Sequence, residues 1–216
     1  MDVSTAVDRR SSIRAFLDTP VTNEQIGELL TKAARSPSGG NVQPWRIYVV
    51  NGNSMARFRE MLADRDIEEA AYEIYPPGLK EPYKTARFTI GMQMYDKLGI
   101  ARDDKAARFG QMLKNYEFFG APASIFCFVD RQMGPPQWSD LGMFLQTFML
   151  LAQEAGLDTC PQEAWAMWEA AISEFVGAPE DERLFCGVAI GHADPDAAVN
   201  SLRSERFALD EFATFI

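Results

Sequence analysis

Two stretches near the ends of the chain concentrate guanidinium and hydroxyl groups: Arg9-Arg10-Ser11-Ser12-Ile13-Arg14, and Asn200-Ser201-Leu202-Arg203-Ser204-Glu205-Arg206. Guanidinium groups recognise a phosphomonoester through bidentate, charge-assisted hydrogen bonds, and Arg10 with Arg206 is the pair best suited to it. A third segment, Pro37-Ser38-Gly39-Gly40-Asn41-Val42-Gln43-Pro44-Trp45, is glycine-rich and polar. Its glycines allow close backbone approach, and Ser38, Asn41 and Gln43 add donors and acceptors, so it suits a polar small-molecule site. Read alone, the arginines fit solvated charges at a helix end and the glycines fit a connecting turn anchored by Trp45.

Composition narrows the chemistry. The formal net charge is −10 over 216 residues, so the chain lacks the basic surface that binds a nucleic-acid backbone. Basic islands in an acidic chain instead suit a bound anion. There is no P-loop and no dinucleotide glycine fingerprint. The three cysteines, Cys127, Cys160 and Cys186, are widely spaced and His192 is the only histidine, which leaves no metal-ligand cluster. Cys160 reads as a small core residue and His192 as a loop residue. The first thirty residues carry charges throughout, and no run of about 18 apolar residues occurs, so a soluble cytoplasmic protein without a membrane span is expected.

The surrounding elements follow from periodicity. Thr22-Asn23-Glu24-Gln25 has the form of a capping box, and Ile26, Leu29, Leu30, Ala33 and Ala34 continue at helical spacing until Ser36-Pro37. The glycine-rich turn then feeds the apolar run Ile47–Val50. A helix is expected over residues 54–64, an irregular excursion over 64–83, and helices over 84–98 and 103–119. Ala123–Val129 and Leu184–Gly191 read as buried strands. Trp138–Ala155 reads as a helix apolar around most of its circumference, with Gly156 closing it. Another helical stretch follows Cys160-Pro161-Gln162-Glu163-Ala164. Helices mixed with separated strands, without regular alternation, give an α+β class in one domain spanning 1–216.

Together the three polar segments, in this order, resemble the FMN-dependent nitroreductase family over essentially the whole chain. Tyr75-Pro76-Pro77, Gly99–Asp104 and Gly156–Gln162 are similar to its nitrobenzoate reductase branch. The resemblance implies a three-layer α/β/α sandwich with a mostly antiparallel sheet. It also implies a homodimer in which a domain-swapped tail, residues 199–216, wraps the partner, and in which residues 64–87 form a lid-like excursion. FMN would lie in the dimer interface, with NADPH or NADH as transient donor and a small aromatic as electron acceptor.

Residue by residue, the resemblance assigns the FMN phosphate to Arg10 and Arg206, with Arg203 assisting, and the ribityl chain or phosphate to Ser12, with Ser11 also among the cofactor-binding residues. Arg14 would meet the flavin near N1 and O2. Pro37, Ser38, Gly39 and Asn41 would come from the other subunit, and Gln43 is also among the cofactor-binding residues. Pro161, Gln162, Glu163 and Ala164 would pass the central ring, with a backbone N–H of Glu163 or Ala164 at N5 and no side-chain acid or base. The implied activity is ping-pong hydride transfer through flavin N5, reducing nitroaromatics to hydroxylamines and also quinones. Alternatives are a dehalogenase or flavin-fragmenting branch of the same fold, and a non-catalytic flavin sensor or store.

Overall fold

The computed structural model describes residues 1–216. The chain opens with α1 (Val3–Arg9), capped by the Asp2 carboxylate, which accepts from Thr5 N–H at 2.7 Å. In α2 (Asn23–Ala33) the expected capping box is present: Gln25 N–H donates to Thr22 Oγ1, and Thr22 N–H to Gln25 Oε1. The glycine-rich turn precedes β1 (Arg46–Asn51), and α3 (Asn53–Ala63) follows. After the irregular stretch come α4 (Tyr83–Lys97) and α5 (Lys105–Leu113), then β2 (Ala123–Asp130) and α6 (Pro135–Glu154). The chain continues through β3 (Asp158–Gln162), α7 (Glu169–Val176), β4 (Glu182–Gly191) and α8 (Leu209–Phe212).

The strands form one antiparallel sheet in the order β1-β2-β4-β3. Alternation along β2 sends Ile125, Cys127 and Val129 to one face, against α2 and α6, and Phe126 and Phe128 to the other, against α3 and α7. The result is the three-layer α+β sandwich. In β4 the alternation slips: Cys127 pairs with Cys186 but Phe128 with Leu184, so Phe185 is an extra residue. That bulge turns Leu184 to the α3/α7 face although Cys186 and Val188 lie on the α2/α6 face.

Three expectations are corrected. The helix expected over 103–119 ends at Leu113, and Lys114–Gly120 is a 3₁₀ segment in which Phe118 and Phe119 take φ of 52° and 53°. Both rings are buried against the Phe58–Phe126–Trp165 face. Burying a large side chain is worth about 1.5–3 kcal/mol, enough to offset a left-handed backbone costing about 1–2 kcal/mol. This packing places both rings in the core. Residues 158–162 form a strand that periodicity did not signal. Pro161 is tolerated there because β3 is a sheet edge. Finally, α6 begins three residues before Trp138, with Pro135 at its first turn, where a missing N–H costs nothing.

The irregular excursion runs from Asp64 to Pro82, and residues 83–87 open α4. Its first part is fastened to the core. Glu68 N–H donates to Met167 O at 3.0 Å and Ala71 N–H to Ala166 O at 2.8 Å, while the Glu68 carboxylate caps α7 through the N–H groups of Ala170 and Ala171. The Tyr72 hydroxyl donates to Phe185 O, a carbonyl at the bulge. By contrast α4 has no buried residue along its 15 positions.

Candidate active site

Past Arg9 the chain leaves α1 in extended form and lies along β3: Ser12 bridges Thr159 in parallel, and Ile13 N–H donates to Thr159 O at 3.1 Å. In extended backbone alternate side chains share a side. Ile13 is buried at 5% exposure, while Arg10, Ser12 and Arg14 remain half-buried. The i, i+2, i+4 spacing of Arg10, Ser12 and Arg14 is therefore the signature of the segment.

The C-terminal polar segment meets it there. The Asn200 side chain accepts from Arg14 N–H at 2.9 Å and donates to Ala15 O at 2.8 Å and Asp194 O at 2.9 Å. Arg203 Nη1 donates to Arg9 O at 2.9 Å. Arg10, Ser11, Ser12 and Arg14 thus line one cavity of about 620 Å³ together with Arg203 and Arg206. Sequence reasoning did not assign Ile90 of α4, Gln146 of α6 or Ser204 to a site, yet all three line the same space. Gln146 carries no signal in a helix read as apolar, and Asn200 opens the C-terminal polar segment without a charge or pattern to single it out.

The charge balance of this cavity is unusual. The Arg10 guanidinium donates no hydrogen bond to the protein, and none of Arg10, Arg14, Arg203 or Arg206 is in an ion pair. Burial lowers the Arg10 pKa from its ordinary value, and the neighbouring Arg206 and Arg203 guanidiniums lower it further. Asp8 is the only acid on the wall. A half-buried cation without a protein acceptor, set beside the exposed guanidiniums of Arg203 and Arg206, is satisfied by an anionic ligand of several oxygens, and the serine hydroxyls beside it add donors.

The glycine-rich turn sits on α6. Asp140, buried at 4% exposure, accepts from Gly39 N–H at 3.2 Å, and one helical turn along Phe144 stacks on Trp45 with centroids 4.9 Å apart. Gly40, Asn41 and Gln43 have φ of 57°, 58° and 49°. For Gln43 this is a strained backbone, held by its N–H on Ser38 Oγ at 3.0 Å and by its side-chain amide on Asn41 O at 3.2 Å. Pro37 and Ser38–Gln43 do not line the arginine cavity, so one chain does not bring these two parts of the expected site together.

At the end of β3, Gln162 is buried and its amide is committed, donating to Asn115 O at 2.7 Å and accepting from Trp165 Nε1 at 3.3 Å. Its side chain is therefore held by Asn115 and Trp165 within the protein. Glu163 and Ala164 open the 3₁₀ turn Glu163–Trp168, where the first N–H groups precede any intrahelical acceptor. Desolvation raises the Glu163 pKa. Cys160, within β3, is 2% exposed with its thiol pushed up to about 11, mainly by burial, which makes it a packing residue.

The Nitroreductase family model matches residues 7–192. The chain belongs to the nitroreductase family. Among curated nitroreductases it is 34% identical to the 4-nitrobenzoate reductase of Pseudomonas putida, covering 100% of this chain and 96% of that protein. It is 35% identical to the nitrobenzene nitroreductase of Ectopseudomonas oleovorans, covering 97% and 94%. Among solved nitroreductase structures, the FMN and NADPH-dependent NfnB of Sphigopyxis sp. strain HMH superposes with a TM-score of 0.96 at 45% identity, over 100% of this chain and 99% of that one. The FMN-dependent NfnB of Mycobacterium smegmatis, solved in complex with NADPH, gives 0.91 at 30% identity over 100% of both chains. No helix of this nitroreductase is long and apolar enough to cross a membrane.

Proposed function

We propose that the protein is an FMN-dependent NAD(P)H oxidoreductase that reduces nitroaromatic compounds, with quinones as a second acceptor class. The observation that carries this is the arginine cavity: Arg10 finds no protein acceptor and shares its space with Arg203, Arg206 and two serines in an otherwise acidic chain. That donor set fits the phosphate of FMN. Arg10 and Arg206 hold it, with Arg203 fixed on the Arg9 carbonyl beside them and Ser11 and Ser12 donating hydroxyls. Arg14, whose backbone is fastened by Asn200, presents a cation to the pyrimidine edge of the flavin. Glu163 and Ala164 offer backbone donors to the central ring.

FMN, when bound, supplies two-electron transfer between a nicotinamide and the aromatic acceptor. The protein's own contribution is positioning and charge: the arginines fix the phosphate, Arg14 places positive charge where negative charge accumulates on reduction, and the β3 edge excludes water from one side.

The working unit is a homodimer. The glycine-rich turn, with Pro37, Ser38, Gly39, Asn41 and Gln43, belongs to the site of the partner subunit. Association also covers a tail in which Leu209, Phe212 and Phe215 are 57%, 69% and 86% exposed. The tail 199–216 reaches across to the partner, and the exposed part of the excursion, Glu73–Pro82, serves as a lid. Three buried, unpaired cysteines suit the reducing cytoplasm.

The test is a visible spectrum of the purified protein, recorded anaerobically before and after NADPH and then a nitrobenzoate. Flavin bands that bleach with NADPH and return with the nitroarene support the reading. Flavin bands that no nicotinamide bleaches, or protein that takes up no flavin on reconstitution, overturn it.

A further inference from the structure

The arginines already placed account for one basic region, but a second lies on α4 and α5. Between Lys80 and Lys114 stand eight Lys or Arg and four Asp or Glu, an excess of positive charge in a chain of net charge −10. Lys84, Arg87 and Arg108 line a cavity of about 740 Å³ together with the rings of Phe88 and Tyr95. Arg87 stands over Tyr75 at 3.9 Å and Arg108 over Tyr95 at 4.1 Å, so both guanidiniums are oriented by stacking and neither is in an ion pair. Arg108 is further held by its bonds to Arg102 O at 3.1 Å and Met92 Sδ at 3.1 Å, and its buried Nε has no partner. The one acid on the wall, Glu81, is engaged in capping α4, accepting from Thr85 N–H at 3.1 Å.

The position of this cavity selects its ligand. At about 100° per residue, Ala86, Thr89, Ile90 and Gln93 share one face of α4, and Lys84, Phe88, Gly91 and Tyr95 the opposite face. The first face borders the arginine cavity through Ile90 and a smaller one shared with Arg206; the second borders the Lys84–Arg87–Arg108 cavity. A helix is about 10–12 Å across with its side chains. A ligand that touches the flavin and also this cavity must be longer than that, which a dinucleotide is and a single-ring nitrobenzoate is not. Cations set among exposed aromatic faces match a phosphorylated adenosine, the base stacking on Phe88, which is 55% exposed.

We infer that the cavity between α4 and α5 binds the adenosine 2′-phosphate of NADPH, with Lys84, Arg87 and Arg108 as the specificity-determining residues that favour NADPH over NADH. This rests on the reading of the protein as a nicotinamide-dependent flavoenzyme. The test uses the FMN-loaded enzyme and its Lys84→Gln and Arg87→Gln variants, both at exposed positions. The expected result is a KM for NADPH raised about tenfold in each, as for loss of one charge-assisted hydrogen bond, with KM for NADH changed less than twofold. Calorimetric binding of adenosine 2′,5′-bisphosphate, tighter than that of adenosine 5′-monophosphate in the parent and equalised in the variants, is the matching result without turnover. Equal effects on both donors, or no effect on either, overturn the inference. So does a weakening confined to the nitrobenzoate acceptor, which would give the patch to the acceptor's carboxylate. Failure of both donors to reduce the bound flavin instead refutes the proposed function, and this inference with it.

Discussion

Replacing Arg10 with methionine separates ligand binding from folding, because the two effects have opposite signs. Methionine keeps most of the aliphatic stem and removes the guanidinium. In the structure that group makes no hydrogen bond to the protein and sits beside Arg203 and Arg206, which with burial lower its pKa. Without ligand the substitution therefore removes only like-charge repulsion and desolvation. Because the group is partly exposed and screened, the gain is under about 1 kcal/mol, or up to about 2–4 °C in Tm for a chain of this size. With FMN bound, the same substitution removes charge-assisted hydrogen bonds to phosphate, about 2–3 kcal/mol, which is roughly 30–150-fold in Kd. Titration of apoprotein with FMN, followed by flavin fluorescence quenching, reads the second quantity, and a thermal scan of the same apoprotein reads the first. An FMN Kd within threefold of the parent's refutes the phosphate assignment. A clear loss of apoprotein stability refutes the claim that Arg10 lacks a structural role.

Other expectations follow from single contacts. Asn200→Ala removes the clamp on Arg14 and Ala15 and is expected to cost about 2 kcal/mol of stability, read in urea, and to weaken FMN binding although Asn200 does not line the cavity. Gly187→Ala puts a Cβ 2.5 Å from Trp165 Cδ1 and 3.2 Å from Phe126 Cε1, both in fully buried rings, so a loss of about 1–3 kcal/mol is expected in the same assay. The buried thiols set an alkaline limit. Burial raises Cys160 to about 11 and Cys186 to about 12 from an ordinary 9.0, so the folded state favours the protonated form. Their contribution is complete below about pH 9 and is lost as pH rises through about 11 for Cys160 and about 12 for Cys186. Tm is expected to fall over that window, and alkylation at pH 8 to require unfolding.

Much of this architecture is legible in the sequence where local signals agree with the tertiary environment. The capping box at Thr22, the periodicity of α2, and the alternation of β2 between aliphatic and aromatic faces are local statements that the core then uses. The failures occur where packing overrides local preference. Phe118 and Phe119 look helical but take left-handed backbone because burial of their rings outweighs the cost. Asp158–Gln162 carries a proline and too few residues for a periodic signal, and becomes a strand only because β4 offers it an edge. The bulge at Phe185, which decides where Tyr72 attaches the excursion, has no sequence signature.

The site divides in the same way. The arginines and serines were legible as types, and their spacing in the extended segment explains why they converge. What brings them to the C-terminal arginines is Asn200, whose bonds to Arg14 and Ala15 join positions 186 and 185 residues apart and have no local pattern. Gln146 was hidden within an apolar helix. Pro37–Gln43 was legible as a polar turn, but one chain does not seat it in the arginine cavity, because completing that site is the role proposed for the partner subunit.

The central claim is that the cavity of Arg10, Arg203 and Arg206 holds the phosphate of a flavin mononucleotide. Comparing the affinities of the apoprotein for FMN and for riboflavin, which lacks only that phosphate, tests it most directly. Riboflavin is expected to bind at least about 100-fold more weakly, and the gap to shrink in Arg10→Met and Arg206→Met. Equal affinity for the two flavins would contradict the account, since the unpaired arginines would then serve something other than the cofactor's phosphate.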